Sequence, residues 1–191
     1  RGHYELDQVL AMFHQQGMAQ TAQIGIPKAE QITSGTRDTH LTGAQFVARG
    51  ISRLFGRNGI WCIPEMSLRN GRRADLMGID PKGQIIIVEI KVARADLLGD
   101  QKWPEYLDYC DRFYWGLPPE MDPTPLGTEG FQPENCGLII ADAYDAEILR
   151  PAPSRPLAAA RRKVEVERLA RTALRRQVVA QDPACSAWGL E

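Results

Sequence analysis

The sequence predicts an α/β domain in which helices flank a mixed β-sheet, and three observations support this class. A capping-box pattern begins at Thr42, and apolar residues follow it at helical spacing until Asn58-Gly59. Two turn signals, Asn70-Gly71 and Asp80-Pro81-Lys82-Gly83, then separate three strand-like apolar runs. With 191 residues and 43% hydrophobic content, the chain is long enough for one large core and too short for two.

The three runs are predicted to form a meander of consecutive strands over residues 60–68, 74–80 and 84–92. Pro64 places the first of them at a sheet edge or a bulge, because proline cannot donate to a ladder. A helix is predicted after Lys91, with Pro104 in its first turn. The remaining predicted elements are a strand over 112–117, a loop rich in Pro and Gly over 118–135, and a hairpin of 136–141 with 147–150.

The chain is predicted to have three parts. Residues 1–37 show little periodicity and are predicted to be a flexible N-terminal arm, while 38–150 form the folded domain. Residues 151–191 are predicted to be a Pro-rich linker and a basic amphipathic helix. The apolar stripe predicted on that helix consists of Val166, Ala170, Ala173, Leu174 and Val178.

Charge is distributed unevenly along a nearly neutral chain. The net charge of −1 gives no overall attraction to nucleic acid, but residues 155–176 carry eight basic residues against two acidic ones. That segment is the best candidate for contact with a phosphate backbone. Two alternatives are a helix packed back on the sheet and a helix that binds a partner protein.

The cysteine spacing and the hydropathy pattern argue against a zinc-stabilised fold and against a membrane-spanning protein. Cys62, Cys110, Cys136 and Cys185 are widely spaced, which argues against a structural zinc site and predicts reduced thiols. No apolar run has the length of a membrane span, and no leader pattern is seen. A cytoplasmic location without a membrane partner is therefore expected.

Charged side chains on the third predicted strand are the strongest functional signal. Glu89 and Lys91 alternate with apolar residues, so they share one face of a strand that is otherwise core-like. Asp75 lies on the preceding strand. Burying such ions costs several kcal/mol, as an order of magnitude, unless partners or a metal compensate. The alternative is an ion pair at a solvated strand end.

Longer motifs surround these residues and carry a family resemblance. They are Glu65, Asn70-Gly71-Arg72-Arg73-Ala74-Asp75-Leu76, Val88-Glu89-Ile90-Lys91, and Lys102-Trp103-Pro104-Glu105-Tyr106-Leu107-Asp108-Tyr109-Cys110-Asp111-Arg112-Phe113. Over residues 38–150 the chain resembles the PD-(D/E)XK nuclease superfamily and, within it, the MmcB-like DNA repair proteins. This resemblance implies a restriction-endonuclease-like core, to which the chain adds a basic C-terminal helix.

The resemblance also implies roles for particular residues. Asp75 and Glu89 would ligate a divalent cation, Mg²⁺ or Mn²⁺, with Lys91 beside them to stabilise charge or position water. Glu65 would be an auxiliary ligand, and it faces Asp75 only if the intervening hairpin loop has an odd number of residues. The chemistry is consistent, because hydrolysis of an anionic phosphodiester benefits from a metal-activated water.

The sequence departs from the superfamily pattern at the first helix. Many superfamily nucleases place a metal-binding Glu there, whereas this chain has Gln45. Because Gln45 stands three residues after Thr42, we favour its interpretation as the capping-box partner. The other departure, Ala74 in place of a proline before Asp75, is a common variation.

Four basic residues are candidates for DNA binding: Arg72, Arg73, Arg94 and Lys102. A solvated turn is equally compatible with Arg72 and Arg73, and a surface ion-pair network with the nearby Asp96 and Asp100 is equally compatible with Arg94 and Lys102. Four aromatic residues are candidates for base stacking, although their spacing favours the core: Trp103, Tyr106, Tyr109 and Trp115. Asp111 is predicted to fix the corner between the helix and the following strand.

The leading functional hypothesis is a metal-dependent DNA endonuclease that acts in DNA repair. Its partner would be DNA, and the C-terminal stripe would suit a homodimer. One alternative is a catalytically silent nuclease-fold adaptor that binds DNA or a repair protein. Another is a small-molecule hydrolase that uses the same carboxylates.

Overall fold

A six-stranded mixed sheet is the centre of residues 42–187, the part of the chain that the computed structural model describes. The predicted arm over 1–37 lies outside the described residues. In chain order the main elements are α1 (Gly43–Arg57), β1 (Trp61–Ser67), β2 (Arg73–Ile79), β3 (Ile85–Ile90), α2 (Arg94–Gly99), a 3₁₀ helix (Trp103–Tyr109), β4 (Arg112–Leu117), β5 (Gly137–Ala141), β6 (Ala146–Arg150) and α3 (Ala159–Gln181). Short 3₁₀ turns cover Thr124–Gly127, Glu129–Phe131 and Pro183–Ala187.

The strands lie in the sheet in sequence order from β1 to β6. Strands β1, β2 and β3 are antiparallel, β4 and β5 run parallel to β3, and β6 returns antiparallel to β5. The predicted α/β class, the meander and the mixed sheet are thereby confirmed. Pro64 lies in β1, which is an edge strand, as its missing N–H requires.

Helix α1 begins with the predicted capping box. The Thr42 N–H donates to the Gln45 side-chain oxygen at 2.8 Å, and the Gln45 N–H donates to the Thr42 hydroxyl at 3.4 Å. Val47, Ile51 and Phe55 are buried against the sheet. The interpretation of Gln45 as the capping partner is confirmed.

Close packing of α1 on the hairpin between β5 and β6 leads to a stability prediction at Gly50. A Cβ at this position would collide with the backbone carbonyl oxygens of Asp142 and Asp145. We expect Gly50→Ala to destabilise the protein by about 1–3 kcal/mol, measured by chemical denaturation. Gly56→Ala in the same helix is the control, because its Cβ would meet only Trp61, at 3.7 Å. Equal stability of the two variants would contradict this packing.

Both faces of the sheet are covered, and each has its own apolar cluster. Helix α1 covers one face, while the 3₁₀ helix and α3 cover the other. The four aromatic residues considered for base stacking are all buried, and all belong to the second cluster: Trp103, Tyr106, Tyr109 and Trp115. The core interpretation of these side chains is confirmed.

The helix predicted after Lys91 is divided in two. Helix α2 ends at Gly99, and a 3₁₀ helix begins at Trp103 with Pro104 in its first turn. The break follows from Asp100, whose side chain accepts from the N–H of Lys102 at 3.1 Å and turns the chain between the two helices.

Helix α3 packs on the sheet through only part of the predicted stripe, since Val166 contacts the core and the residues toward the helix end do not. Its buried residues are Glu165 and Leu169, whereas Leu174 is 65% exposed and Val178 is 47% exposed. The cause is a set of arginines on the inner face that reach the sheet. Arg168 donates to the Ser67 carbonyl, and Arg176 donates to the carbonyls of Pro64 and Glu65. The predicted stripe is therefore wrong in its outer half.

Asp111 joins this C-terminal region to the domain. Its carboxylate accepts from the N–H of Ile85 at 2.8 Å and of Leu157 at 2.9 Å, and it pairs with Arg162. The side chain is fully buried. The prediction that Asp111 fixes the corner before β4 is confirmed, and its contacts extend to the beginning of α3.

The four cysteines are all free thiols. Across residues 42–187, no helix combines the length and apolarity needed to cross a membrane.

Candidate metal centre

The candidate site lies where strands β2 and β3 separate. Their pairing ends at Leu76 opposite Val88, so the next facing pair is Asp75 and Glu89. The Asp75 carboxylate accepts from the N–H of Ile90 at 2.7 Å. A side chain thereby takes the place of a ladder hydrogen bond and keeps Asp75 beside β3.

Glu89 and Lys91 lie next to Asp75 and are almost entirely buried, with side-chain exposures of 9% and 7%. The Lys91 ammonium is 3.2 Å from Glu89 Oε1. The other oxygen, Glu89 Oε2, is buried and makes no well-formed hydrogen bond with the described residues, although the Tyr106 hydroxyl lies close enough to the carboxylate to lower its pKa. A buried carboxylate oxygen without a donor is costly, which makes it a natural point for a cation.

The electrostatics of the site follow from this crowding. Burial and the nearby charge of Asp75 raise the pKa of Glu89 to about 7, although Lys91 opposes the shift. Burial also raises the pKa of Asp75, against the effects of the Ile90 N–H and Lys91. Burial alone would lower the pKa of Lys91, but Asp100 and Glu89 outweigh it and raise that pKa.

Glu65 lies opposite Asp75, but its carboxylate forms an ion pair with Arg73. The loop between β1 and β2 spans the five residues 68–72, so the odd-loop condition for facing Asp75 is met. Glu65 has a left-handed backbone with φ of 55°, and its carboxylate is 2.5 Å from Arg73 Nη1. Within the described part of the chain, no group of three or more His, Cys, Asp or Glu residues is arranged to hold a metal.

A cleft of about 450 Å³ opens between α1 and the ends of β1 and β2. Its lining includes Gln45, Arg49, Glu65, Asp75 and Ile90. The side-chain oxygen of Gln45 is bound to the Thr42 N–H. The cleft therefore gives solvent and ligands access to Asp75, with Gln45 serving as a helix cap at its wall.

The basic residues predicted to bind DNA are mostly engaged in surface ion pairs. Three of the four have carboxylate partners: Arg72 with Glu105, Arg73 with Glu65, and Arg94 with Asp122. Arg72 donates twice to its partner, at 3.0 and 3.2 Å. Lys102 is exposed before the 3₁₀ helix. Arg94 thus forms an ion pair, but with Asp122, while Asp96 and Asp100 lie against Lys91.

Sequence reasoning missed three residues around the site. Asp100 and Asp96 approach the Lys91 ammonium at 2.9 and 3.7 Å, where surface pairs with Arg94 and Lys102 were considered instead. The Tyr106 hydroxyl donates to the Arg73 carbonyl at 3.1 Å. Burial and the adjacent Glu89 raise the pKa of Tyr106. Asp96 and Asp100 could have been assigned to Lys91 from the sequence, because a buried ammonium needs more than one counter-charge.

Comparison with known proteins identifies relatives of the chain. A family model described as DNA repair protein MmcB-like matches residues 31–184. No protein of curated function matches significantly. A solved structure from Silicibacter pomeroyi, described as a protein of unknown function, is 42% identical, with a TM-score of 0.69, and the match covers 80% of this chain and 99% of the other.

A second solved structure, a repair endonuclease from Pyrococcus abyssi, is more distant. It is 20% identical, with a TM-score of 0.31, and the match covers 57% of this chain and 50% of that one. Such a weak superposition supports no inference about the site.

Proposed function

Because this chain belongs to the MmcB-like DNA repair protein family, we propose that it is a metal-dependent DNA endonuclease that hydrolyses phosphodiester bonds during repair. One observation carries the proposal. Glu89 lies beside a second carboxylate, with Oε1 at 3.2 Å from an ammonium and with a buried Oε2 that makes no well-formed hydrogen bond within residues 42–187. A structural ion pair would satisfy both oxygens, whereas a cation site leaves one free.

The donor set fits a hard divalent cation. Asp75 and Glu89 offer carboxylate oxygens, which suit Mg²⁺ or Mn²⁺ better than softer metals. When bound, such an ion would polarise the scissile phosphate and supply a water of lowered pKa. Glu65 would join the set only by leaving Arg73, so we assign it an auxiliary role.

The protein's own groups would act on the anionic substrate. The Lys91 ammonium carries positive charge into a buried site, where it would stabilise negative charge that develops on the phosphate oxygens. Phosphates of the DNA backbone would contact the four basic candidates named from the sequence: Arg72, Arg73, Arg94 and Lys102. Contacts with DNA would require the three arginines to exchange their carboxylate partners for phosphates.

Asp75→Asn tests the proposal. Ile90 N–H donates to Asp75, and an Asn side-chain oxygen can accept the same hydrogen bond, so we expect the variant to fold while it loses the negative charge. We expect cleavage of single-stranded, duplex, branched and lesion-containing DNA with Mg²⁺ or Mn²⁺ to fall by about 100-fold or more. Asp108→Asn, at an exposed carboxylate, is the matched control and keeps full activity. Unchanged cleavage by Asp75→Asn would refute the assignment.

A catalytically silent adaptor is the second candidate, and two observations favour it. Gln45 is committed to the helix cap, and Glu65 is paired with Arg73. Calorimetric titration with Mn²⁺ separates the candidates. Binding that Asp75→Asn abolishes supports the nuclease, whereas no binding at millimolar Mn²⁺ supports the adaptor.

A further inference from the structure

The Lys91 ammonium is surrounded by three carboxylates. Glu89 approaches it at 3.2 Å, Asp100 at 2.9 Å and Asp96 at 3.7 Å. The Lys91 side chain is only 7% exposed. An ammonium has three N–H donors, and in this site they point toward protein carboxylates and away from bulk water.

Asp100 differs from Asp96 in distance and in burial. The Asp100 side chain is 14% exposed, whereas that of Asp96 is 62% exposed. Asp100 is also held on its other side, because its Oδ1 accepts from the N–H of Lys102 at 3.1 Å while Oδ2 contacts Lys91. Its own N–H donates to the Leu97 carbonyl at 3.3 Å. Asp100 is therefore a fixed counter-charge, and Asp96 is a solvated one.

We propose that Asp100 is a positioning residue that fixes the Lys91 ammonium beside Glu89. A lysine side chain has four rotatable bonds. With one carboxylate partner, the ammonium could adopt other positions, away from the place where β2 and β3 separate. Two buried carboxylate partners, Glu89 and Asp100, hold the ammonium in place. The catalytic consequence rests on the proposed nuclease function, whereas the positioning itself does not depend on it.

Detection of lysine ammonium protons by NMR tests the positioning without any activity. The chain has five lysines, so the spectrum is simple, and Lys91→Ala identifies the Lys91 signal by its disappearance. We expect a signal protected from exchange in the unmodified protein and in Asp96→Asn. Asp100→Asn keeps an oxygen for the Lys102 N–H but loses the charge, and we expect it to lose the protected signal. Protection retained in Asp100→Asn would overturn the proposal.

A double-mutant cycle tests the catalytic consequence. We expect Asp100→Asn to lower single-turnover cleavage by about tenfold and Asp96→Asn to change it less than twofold. Combined with Lys91→Ala, Asp100→Asn should cause no further loss, because its effect passes through the ammonium. An equal loss in both backgrounds would refute positioning. Absence of cleavage by the unmodified protein would count against the nuclease function alone, since the NMR result still decides the role of Asp100.

Discussion

Replacing Glu89 with Gln is expected to stabilise the protein at pH 8 while removing the proposed metal-dependent cleavage. The carboxylate is buried beside Asp75, and this environment raises its pKa from 4.5 to about 7. Glutamine has nearly the same shape and cannot ionise. The variant therefore avoids the cost of a buried negative charge and also loses an oxygen of the proposed metal site. A residue that lowers stability and is retained for function is typical of an active site.

The sign of the pH dependence follows from linkage. Because the folded pKa of Glu89 lies above its unfolded value, the folded state binds the proton more tightly, and stability falls as the pH rises from about 4.5 to about 7. The shift corresponds to about 3 kcal/mol. We expect the stability advantage of Glu89→Gln to be small at pH 4.5 and to grow by about that amount by pH 8.

Urea denaturation at several pH values measures this difference. Glu105→Gln is the control, since Glu105 is exposed and its pKa is lowered through its hydrogen bond with Arg72. That variant should gain no stability at high pH. The difference in free energy of unfolding between Glu89→Gln and the unmodified protein could instead be independent of pH. Ionised Glu89 would then cost no stability, and the raised pKa attributed to burial beside Asp75 would be wrong.

Removing the Asp111 carboxylate is expected to cause the largest loss of stability among the substitutions considered. Asp111→Ala would leave the Ile85 and Leu157 N–H groups without their acceptor and Arg162 without its counter-charge. Breaking such a buried pair typically costs about 3–5 kcal/mol. We expect a loss of this size in chemical denaturation at pH 7, whereas Asp108→Ala at the exposed neighbouring position should change stability little.

The pH dependence of this second effect has the opposite sign. Burial would raise the pKa of Asp111, but the Arg162 hydrogen bond and the backbone N–H groups outweigh it, so the folded pKa lies below 3.8. The stabilisation is therefore present above pH 3.8 and is lost as the pH falls through the folded pKa. The difference in free energy of unfolding between Asp111→Ala and the unmodified protein should become smaller in strong acid. A constant gap would show that lost packing, not charge, causes the destabilisation.

The sequence predicted the meander and the charged residues that β2 and β3 bring together. Both predictions depend on turn signals and on the alternation of side chains along a strand. Turn residues set the hairpins, alternation set the faces, and the register then brought Asp75 opposite Glu89. The pairing of Glu65 with Arg73 was not predictable, since it depends on a left-handed backbone at a non-glycine residue. The inner face of α3 was misjudged for a similar reason. Arginines that would normally face water bind backbone carbonyls there.

The arginine contacts from α3 have a consequence for the behaviour of the molecule at high concentration. An uncovered edge strand invites the strand of a neighbouring molecule to add to the sheet and so promotes aggregation. In β1, Pro64 offers no donor, and the carbonyls of Pro64, Glu65 and Ser67 are occupied by Arg168 and Arg176. The C-terminal helix therefore shields this border against intermolecular strand addition.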